Sequence, residues 1–396
     1  MSQPVVASYC TTFLKREMQH IYRQVTGLQR YRTFVITRSR ENADLYPFER
    51  VVALPRPRVF FLTRFYRKYI LGLDALMYRG EYKQLADVFA GHSADLMHIY
   101  FGHTGVHLRH FIRAWNHPVV VSFHGMDIMP RRQDPDYIVH MKDMLQSATL
   151  VLARSESLGL RLIDLGCAPE KIRINRTGIP LQAFPVADRQ IPADGSWQII
   201  QAARLIEKKG IDDALRAFAG FQKKYPASRF HLVGDGPLKS DLEQLASDLG
   251  IAGAVIFHGF CDQSRLAALY RQSHIFLHPS RTTAAQDQEG VPNSMLEAMA
   301  TGLPVVATLH GGIPEAVTHE KDGLLAPEND AAALEQFLLR LAAEPEFYQG
   351  LSANAASSVR RNFDAASRIS ALEGFYDEAR ALKTATASAG LTNASR

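Results

Sequence analysis

Glu289 and Glu297 stand eight residues apart in the run Glu289-Gly290-Val291-Pro292-Asn293-Ser294-Met295-Leu296-Glu297. The run predicts a loop, a helix opening at Pro292 or Asn293, and a buried strand over 304–307. A helix N-terminus offers unsatisfied N–H groups and the positive end of its dipole, which makes it a seat for phosphate. Carboxylates on either side of that seat can accept hydrogen bonds from sugar hydroxyls. One such site would suit a diphosphate carrying a sugar at each end.

Other clusters could serve the same chemistry. Ala203-Arg204-Leu205-Ile206-Glu207-Lys208-Lys209-Gly210 ends a strand and opens a helix, so Arg204 and Lys209 can converge on one anion and stabilise a departing diphosphate. In His231-Leu232-Val233-Gly234-Asp235-Gly236-Pro237, Gly234 would let the backbone approach a ligand closely. Lys239 takes the third glycine position of a dinucleotide fingerprint, which argues against an oxidoreductase. His124 in Phe123-His124-Gly125-Met126-Asp127 can donate a hydrogen bond while neutral, and Asp127 suits ordering of the local backbone. In Phe257-His258-Gly259-Phe260-Cys261, Phe260 reads equally as a ligand contact and as core. His98 and His103 flank a further strand end, and His98 reads equally as a core residue.

The elements that would position these residues alternate between strand and helix. Strands are expected over 34–37, 51–54, 96–101, 119–123, 150–153 and 171–175 in the first half. In the second half they are expected over 198–203, 230–233, 255–258, 275–278, 305–307 and 323–326. Ser155 is the expected N-cap of a helix ending at Gly166. The polar, proline-bearing stretch 186–196 reads as the linker between two doubly wound α/β domains, in which ligands meet the carboxyl ends of the strands. One or two helices are expected over 360–380, and a frayed tail after them.

The 396 residues suffice for two domains, and 46% hydrophobic with 21% charged residues suits a globular chain. No apolar run reaches eighteen residues and no signal peptide is apparent. Three scattered cysteines, Cys10, Cys167 and Cys261, fit a reducing compartment rather than disulfides or zinc. Residues 1–190 hold 26 Lys and Arg against 16 Asp and Glu, a net +10, while residues 191–396 hold 19 against 24, a net −5. The basic half is suited to anionic partners. Residues 56–69 interleave Arg and Lys with Phe and Tyr, the profile of an interfacial segment on an anionic membrane or of a core helix with a charged edge. No nucleic-acid recognition motif accompanies it.

The stretch 280–325 resembles the donor-site segment of the retaining family 4 glycosyltransferases, with Glu289-Gly290, Leu296-Glu297-Ala298-Met299-Ala300, Gly302-Leu303-Pro304-Val305-Val306-Ala307, Gly311-Gly312-Ile313-Pro314-Glu315 and Asp322-Gly323-Leu324-Leu325 as the matching pieces. His124-Gly125-Met126-Asp127 is similar to the family's His-Gly-x-Asp. The likeness extends to the subset that builds exopolysaccharides of the colanic acid type, although Cys10 and Tyr100 replace a serine and a histidine of that subset.

The resemblance implies a GT-B fold: two facing Rossmann-like domains at 1–186 and 187–360, a helix at 361–382 crossing back to the first, and a frayed tail at 383–396. It implies metal-independent, retaining transfer of a hexose from a nucleotide-sugar, UDP-sugar favoured, to a glycan or lipid-linked acceptor. That transfer would serve cell-surface polysaccharide or glycolipid synthesis in the cytoplasm or at the cytoplasmic face of the membrane. Glu289 would then hold the donor sugar and Glu297 the ribose. Gly290, Val291, Pro292 and Asn293 would seat the diphosphate beside Arg204 and Lys209. Gly234, Phe260 and Cys261 would line the nucleotide, His124 would reach the sugar with Asp127 ordering its loop, and His103 would be a candidate acceptor-side group. No cofactor or metal is expected. A GT-B phosphorylase or epimerase, or a noncatalytic assembly partner, would share this architecture.

Overall fold

The computed structural model describes residues 3–15, 18–54, 61–73, 79–128, 136–284 and 289–393. The chain divides into two compact units, one formed by residues 1–176 together with 366–396, the other by residues 177–365. Each is built on parallel strands with helical crossovers, which gives the expected α/β class.

The strands of the first unit are β1 (Val5–Tyr9), β2 (Thr12–Phe13), β3 (Arg32–Thr37), β4 (Ser39–Arg40), β5 (Val51–Ala53), β6 (Leu96–Tyr100), β7 (Val119–Phe123), β8 (Leu150–Ala153) and β9 (Ile172–Ile174). Seven of them form a sheet in the order β5-β3-β1-β6-β7-β8-β9, and β2 pairs with β4 apart from it. β1 was not among the expected strands. It holds the centre nonetheless, with Val6 opposite Thr33 on β3 and opposite Leu96 on β6. Ala7 and Ser8 weaken its strand pattern, and burial between two neighbours compensates.

The second unit contains β10 (Gln198–Ala202), β11 (Arg229–Val233), β12 (Val255–Gly259), β13 (Ile275–His278), β14 (Val305–Thr308) and β15 (Leu324–Ala326), in the order β12-β11-β10-β13-β14-β15. In both sheets the order reverses beside the first strand, between β1 and β6 and between β10 and β13. Such a switch point leaves a crevice at the carboxyl ends of the two strands.

The expected linker is docked on the second unit. The N–H of Ala187 donates to the carbonyl of Thr301 at 3.0 Å. The buried guanidinium of Arg189 donates to the carbonyls of Tyr270 at 2.8 Å and Thr301 at 3.0 Å. Arg189 spends its donors on carbonyls at helix ends. The unit itself begins at Thr177, since Ile179 and Phe184 are buried in its core.

The last helix, Ala365–Asn393, belongs to the first unit. Its Leu372, Tyr376 and Ala379 cover Val6, Leu96, Val120, Leu150 and Leu152. The Glu373 carboxylate accepts the N–H groups of Gln29 at 2.7 Å and Arg30 at 2.6 Å. The helix continues to Asn393, into the stretch where a frayed tail is expected, and residues 394–396 lie outside the described ones. Alternating alanines after Thr384 carry high helix propensity.

His98 on β6 is a core residue, fully buried, with Nδ1 2.7 Å from the Tyr376 hydroxyl. Burial pushes its pKa down to about 3. His278 on β13 is likewise buried and also held at about 3. Both are neutral in the folded chain, whereas an exposed unfolded histidine titrates near its ordinary value. Below about pH 6.5 the unfolded chain therefore binds more protons, and stability is lost as pH falls toward 3. At pH 5 each histidine should cost roughly 2 kcal/mol relative to neutral pH. The urea midpoint should fall between pH 7.5 and 5.0, and His98→Asn should make that fall smaller. A midpoint constant over this range would contradict the burial argument.

Candidate functional site

In the second unit the two loops leaving the switch point meet. Lys209 closes the loop after β10, and Glu289 lies on the segment after β13. Their side chains form an ion pair, with 12% and 14% of each exposed. The loop carrying Lys209 is fixed by backbone contacts: Gln201 Nε2 donates to the Lys209 carbonyl at 2.9 Å, and the N–H of Arg281 donates to the Lys208 carbonyl at 2.9 Å. Arg281 is anchored in turn, since its guanidinium reaches Asp212 at 3.0 Å and Asp213 at 3.1 Å.

The charge at Glu289 is fixed by this setting. Burial alone would raise its carboxyl pKa. Lys209 and then Lys208 and His278 outweigh burial and hold it at about 2. His278, buried at the end of β13, has no hydrogen-bond partner for either ring nitrogen among the described residues. Arg204 lies exposed on the same loop as Lys209, while Lys209 turns inward.

Gly290 and Val291 lead into the helix Asn293–Ala300, whose N-cap is Pro292. Among the described residues no side chain caps it, and such a helix end suits an anion. Glu297 sits within this helix, 7% exposed. Its charge contributes to raising the pKa of buried Tyr270, after burial itself. The Tyr270 hydroxyl donates to the Ser294 carbonyl at 3.1 Å, which ties the first turn to the neighbouring helix.

Gly234, Phe260 and Cys261 follow β11 and β12. Gly234 has φ +130, and a Cβ there would lie 1.9 Å from the Ala203 carbonyl oxygen. Its close approach is thus to the β10 loop of its own chain. Phe260 is 56% exposed, which removes the core alternative. Cys261 is the buried one, packed in an apolar cluster with Val233 and Phe276. Among the described residues, no group of three or more His, Cys, Asp or Glu is arranged to hold a metal ion.

The first unit has its own strand-end cluster. His124 follows β7, with Nε2 3.1 Å from Ser122 Oγ. Its ring packs against His20 at 5.1 Å and Phe101 at 4.6 Å, and Phe101 also stacks on His103 at 5.6 Å. Burial first, then His20 and Arg154, push the His124 pKa well below its ordinary value. The ring is therefore neutral and can donate or accept but not supply charge. Asp127 does what its position suggested. One oxygen accepts the N–H groups of His124 at 2.9 Å and Gly125 at 2.8 Å, and the other accepts Gly102 N–H at 2.8 Å. Phe101, between β6 and its helix, is held at φ +76, a strained conformation for a residue with a side chain. Thr11 Oγ1 sits 3.2 Å from Thr104 Oγ1, joining the β1 and β6 loops.

Sequence reasoning missed His20, Phe101, His278, His310 and Glu328. The last two adjoin Glu289, whose N–H donates to His310 Nε2 at 2.8 Å while His310 Nδ1 lies 2.6 Å from Glu328. The signal for His278 and His310 was present, since each is a histidine within two residues of a strand's carboxyl end.

Comparison with known proteins gives two family matches that together span most of the chain: glycosyl transferases group 1 over residues 186–358 and glycosyltransferase family 4 over residues 19–183. The chain is similar to WcaL of Escherichia coli K12, a glycosyltransferase assigned to colanic acid biosynthesis, with 37% identity over 64% of this chain and 61% of that protein. It is also similar to the amylovoran biosynthesis glycosyltransferase AmsK of Erwinia amylovora, with 34% identity over 63% of this chain and 61% of that protein. The match thus spans about 61% of the length of each of these curated relatives. Among solved structures, Anabaena HepE in complex with UDP superposes with a TM-score of 0.75 at 17% identity, over 95% of this chain and 100% of that one. This likeness establishes the GT-B fold class.

The Lys209–Glu289 pair generates a stability test. Because Glu289 is held at about 2, below the ordinary 4.5, the pair's contribution is complete above about pH 4.5 and lost as pH falls toward 2. Lys209→Met leaves a nearly buried carboxylate without its main cation and should cost ~3 kcal/mol in urea denaturation at pH 7. Lys209→Met combined with Glu289→Gln should cost clearly less than Lys209→Met alone. Additive losses would show that the two side chains are not coupled.

Proposed function

We propose, for a chain that belongs to the family 4 glycosyltransferases, that it transfers a hexose from a nucleotide-sugar to a hydroxyl of a growing glycan or lipid-linked acceptor, in the synthesis of a cell-surface polysaccharide. The observation that carries this reading is the Lys209–Glu289 pair at the switch point of the second sheet, in the segment leading to an uncapped helix N-terminus. In this reading Lys209 and Arg204 take the diphosphate, with the N–H groups of the Asn293–Ala300 helix beside them. As the glycosidic bond breaks, negative charge grows on the leaving phosphate, and groups already fixed in place stabilise it without reorganisation. Glu289, ionised at every working pH, accepts from the donor-sugar hydroxyls. Glu297 accepts from the ribose. His124, a neutral hydrogen-bonding group, serves the sugar, and His103 the acceptor side.

We assign UDP as the favoured nucleotide, a retaining outcome and no metal requirement as further parts of this proposal. Retention is what the family resemblance implies, and it concerns the face on which the acceptor enters. Glu289 is already engaged by Lys209, which suits it to hold hydroxyls rather than to attack the anomeric carbon. The acceptor would then enter on the face the diphosphate leaves. The metal's role would fall to the two cations and the helix dipole.

The segment after residue 60 supports a membrane-side acceptor. It forms a helix, Phe61–Phe65, continued by a π-helical turn, Tyr66–Ile70. Phe61 is 78% exposed, Leu62 77% and Tyr69 63%, and Arg64, Arg67 and Lys68 are exposed between them. That removes the alternative of a core helix with a charged edge for these residues, while residues 56–60 lie outside the described ones. Apolar and cationic side chains together suit an anionic lipid surface. No described helix is long and apolar enough to cross a membrane. Cys10, Cys167 and Cys261 are buried free thiols, which fits work at the cytoplasmic face.

A panel of UDP-, GDP- and ADP-sugars, read by nucleotide release and by anomeric configuration of the product, tests the reaction. Lys209→Ala should lower turnover by roughly two to three orders of magnitude on the donor that works. Glu297→Ala should weaken nucleotide binding by roughly 1.5–3 kcal/mol. Activity should survive dialysis against EDTA. Full turnover in Lys209→Ala would refute the site, and release of sugar only with added phosphate would mark a phosphorylase instead. For the membrane, the protein should bind vesicles containing phosphatidylglycerol and not pure phosphatidylcholine, and Leu62→Asp with Tyr69→Asp should weaken that binding at least tenfold. Equal binding to both vesicle types would reject the lipid surface.

A further inference from the structure

Glu289 is held by its backbone as well as by its carboxylate. β14 ends at Thr308, and the turn that follows passes along Glu289. Gly311 there has φ +51, and a Cβ on it would lie 2.1 Å from the Glu289 carbonyl oxygen. The N–H of Gly312 donates to that same carbonyl at 3.2 Å. On the other side of the residue, the N–H of Glu289 donates to His310 Nε2 at 2.8 Å. Both polar groups of one backbone residue are thus taken by a single turn.

The acceptor role fixes the chemistry of His310. A ring nitrogen that accepts cannot carry a proton, so the proton of the neutral imidazole sits on Nδ1. That nitrogen lies 2.6 Å from Glu328 Oε1 and donates to it. The second oxygen of Glu328 accepts the N–H of Thr282 at 2.8 Å, and the Thr282 hydroxyl lies 3.2 Å from the first. His310 is 1% exposed. A carboxylate, an imidazole and a backbone amide therefore stand in series, with Glu328 at the root and Glu289 at the tip. A carboxylate partner on one ring nitrogen selects the tautomer and raises the accepting strength of the other.

We propose that His310 and Glu328 are positioning residues: they set where the Glu289 backbone lies, and through it the direction in which the Glu289 carboxylate faces Lys209. The effect on transfer rests on the reading of Glu289 as a donor-sugar ligand, but the clamp itself does not. His310 touches neither the proposed diphosphate cations nor the helix N-terminus through any of these bonds. Its loss should therefore act on the placement of Glu289 before it acts on anything else.

The test uses the full chain without ligand. Amide hydrogen exchange should be compared among the wild type, His310→Leu, His310→Gln and Glu328→Gln. A leucine keeps bulk and removes both hydrogen bonds, whereas a glutamine can return an acceptor oxygen to the Nε2 position. The Glu289 amide should exchange at least tenfold faster in His310→Leu, with recovery toward wild type in His310→Gln and a smaller increase in Glu328→Gln. Amides of β10, β11 and β13 should not change. An unchanged Glu289 amide in His310→Leu would overturn the proposal. So would equal acceleration across the whole second unit, which would make His310 a folding residue only. Turnover on the working donor, measured beside Glu289→Gln, separates the two claims. If Glu289→Gln keeps full turnover, the donor reading fails while the exchange result still judges the clamp. If Glu289→Gln loses turnover, His310→Leu should lose at least tenfold in kcat and His310→Gln should restore part of it.

Discussion

One ion pair organises the second unit's candidate site. Lys209 and Glu289 are far apart in sequence, yet they follow adjacent parallel strands, β10 and β13, whose carboxyl ends lie on the same edge of the sheet. A parallel sheet sends every following loop to that edge, and a reversal of strand order opens space between two of them. A lone carboxylate placed there would be driven toward protonation by burial. A lone lysine would be driven toward neutrality. Lys209 keeps the Glu289 carboxylate charged, so the edge holds one cation and one anion ready in a fixed geometry. The cost of taking both out of water is shared with backbone bonds on either side, through Gln201 to the lysine loop and through His310 to the glutamate.

The first unit solves a different problem by similar means. Its strand-end cluster is rich in rings and poor in charge, because His124 is kept neutral by burial and nearby cations. Order comes from Asp127, which gathers three backbone N–H groups from two loops. That convergence supports the strained backbone at Phe101, whose ring then fills the space between His103 and His124. Here a buried carboxylate does structural work, ordering the loop that carries a neutral imidazole.

Much of this was legible in the residues themselves. Alternating apolar runs announced two parallel sheets, and a proline at the helix start with flanking glutamates marked the edge that carries the charges. What escaped had physical reasons. β1 reads weakly because Ala7 and Ser8 are poor strand formers, yet its place between β3 and β6 makes tertiary burial decisive. The stretch around Arg189 reads as a linker because its composition is polar, whereas its guanidinium is buried against backbone carbonyls. Gly234 was singled out for a close backbone approach, and the neighbour that demands a glycine there is the Ala203 carbonyl. His310 and Glu328 could not be joined from sequence at all. Their bond depends on β14 and β15 lying side by side, a register no local pattern encodes.

The terminal helix makes the second unit an insertion within the first. During synthesis, residues 177–365 form one uninterrupted stretch and can close their own core as they emerge. The earlier residues cannot do the same. Until Leu372, Tyr376 and Ala379 leave the ribosome, the surface around Val6, Val120 and Leu152 stays wet and His98 lacks the Tyr376 hydroxyl. The order of maturation is therefore reversed relative to the order of translation, and a nascent chain has no finished first unit until the helix opening at Ala365 is made.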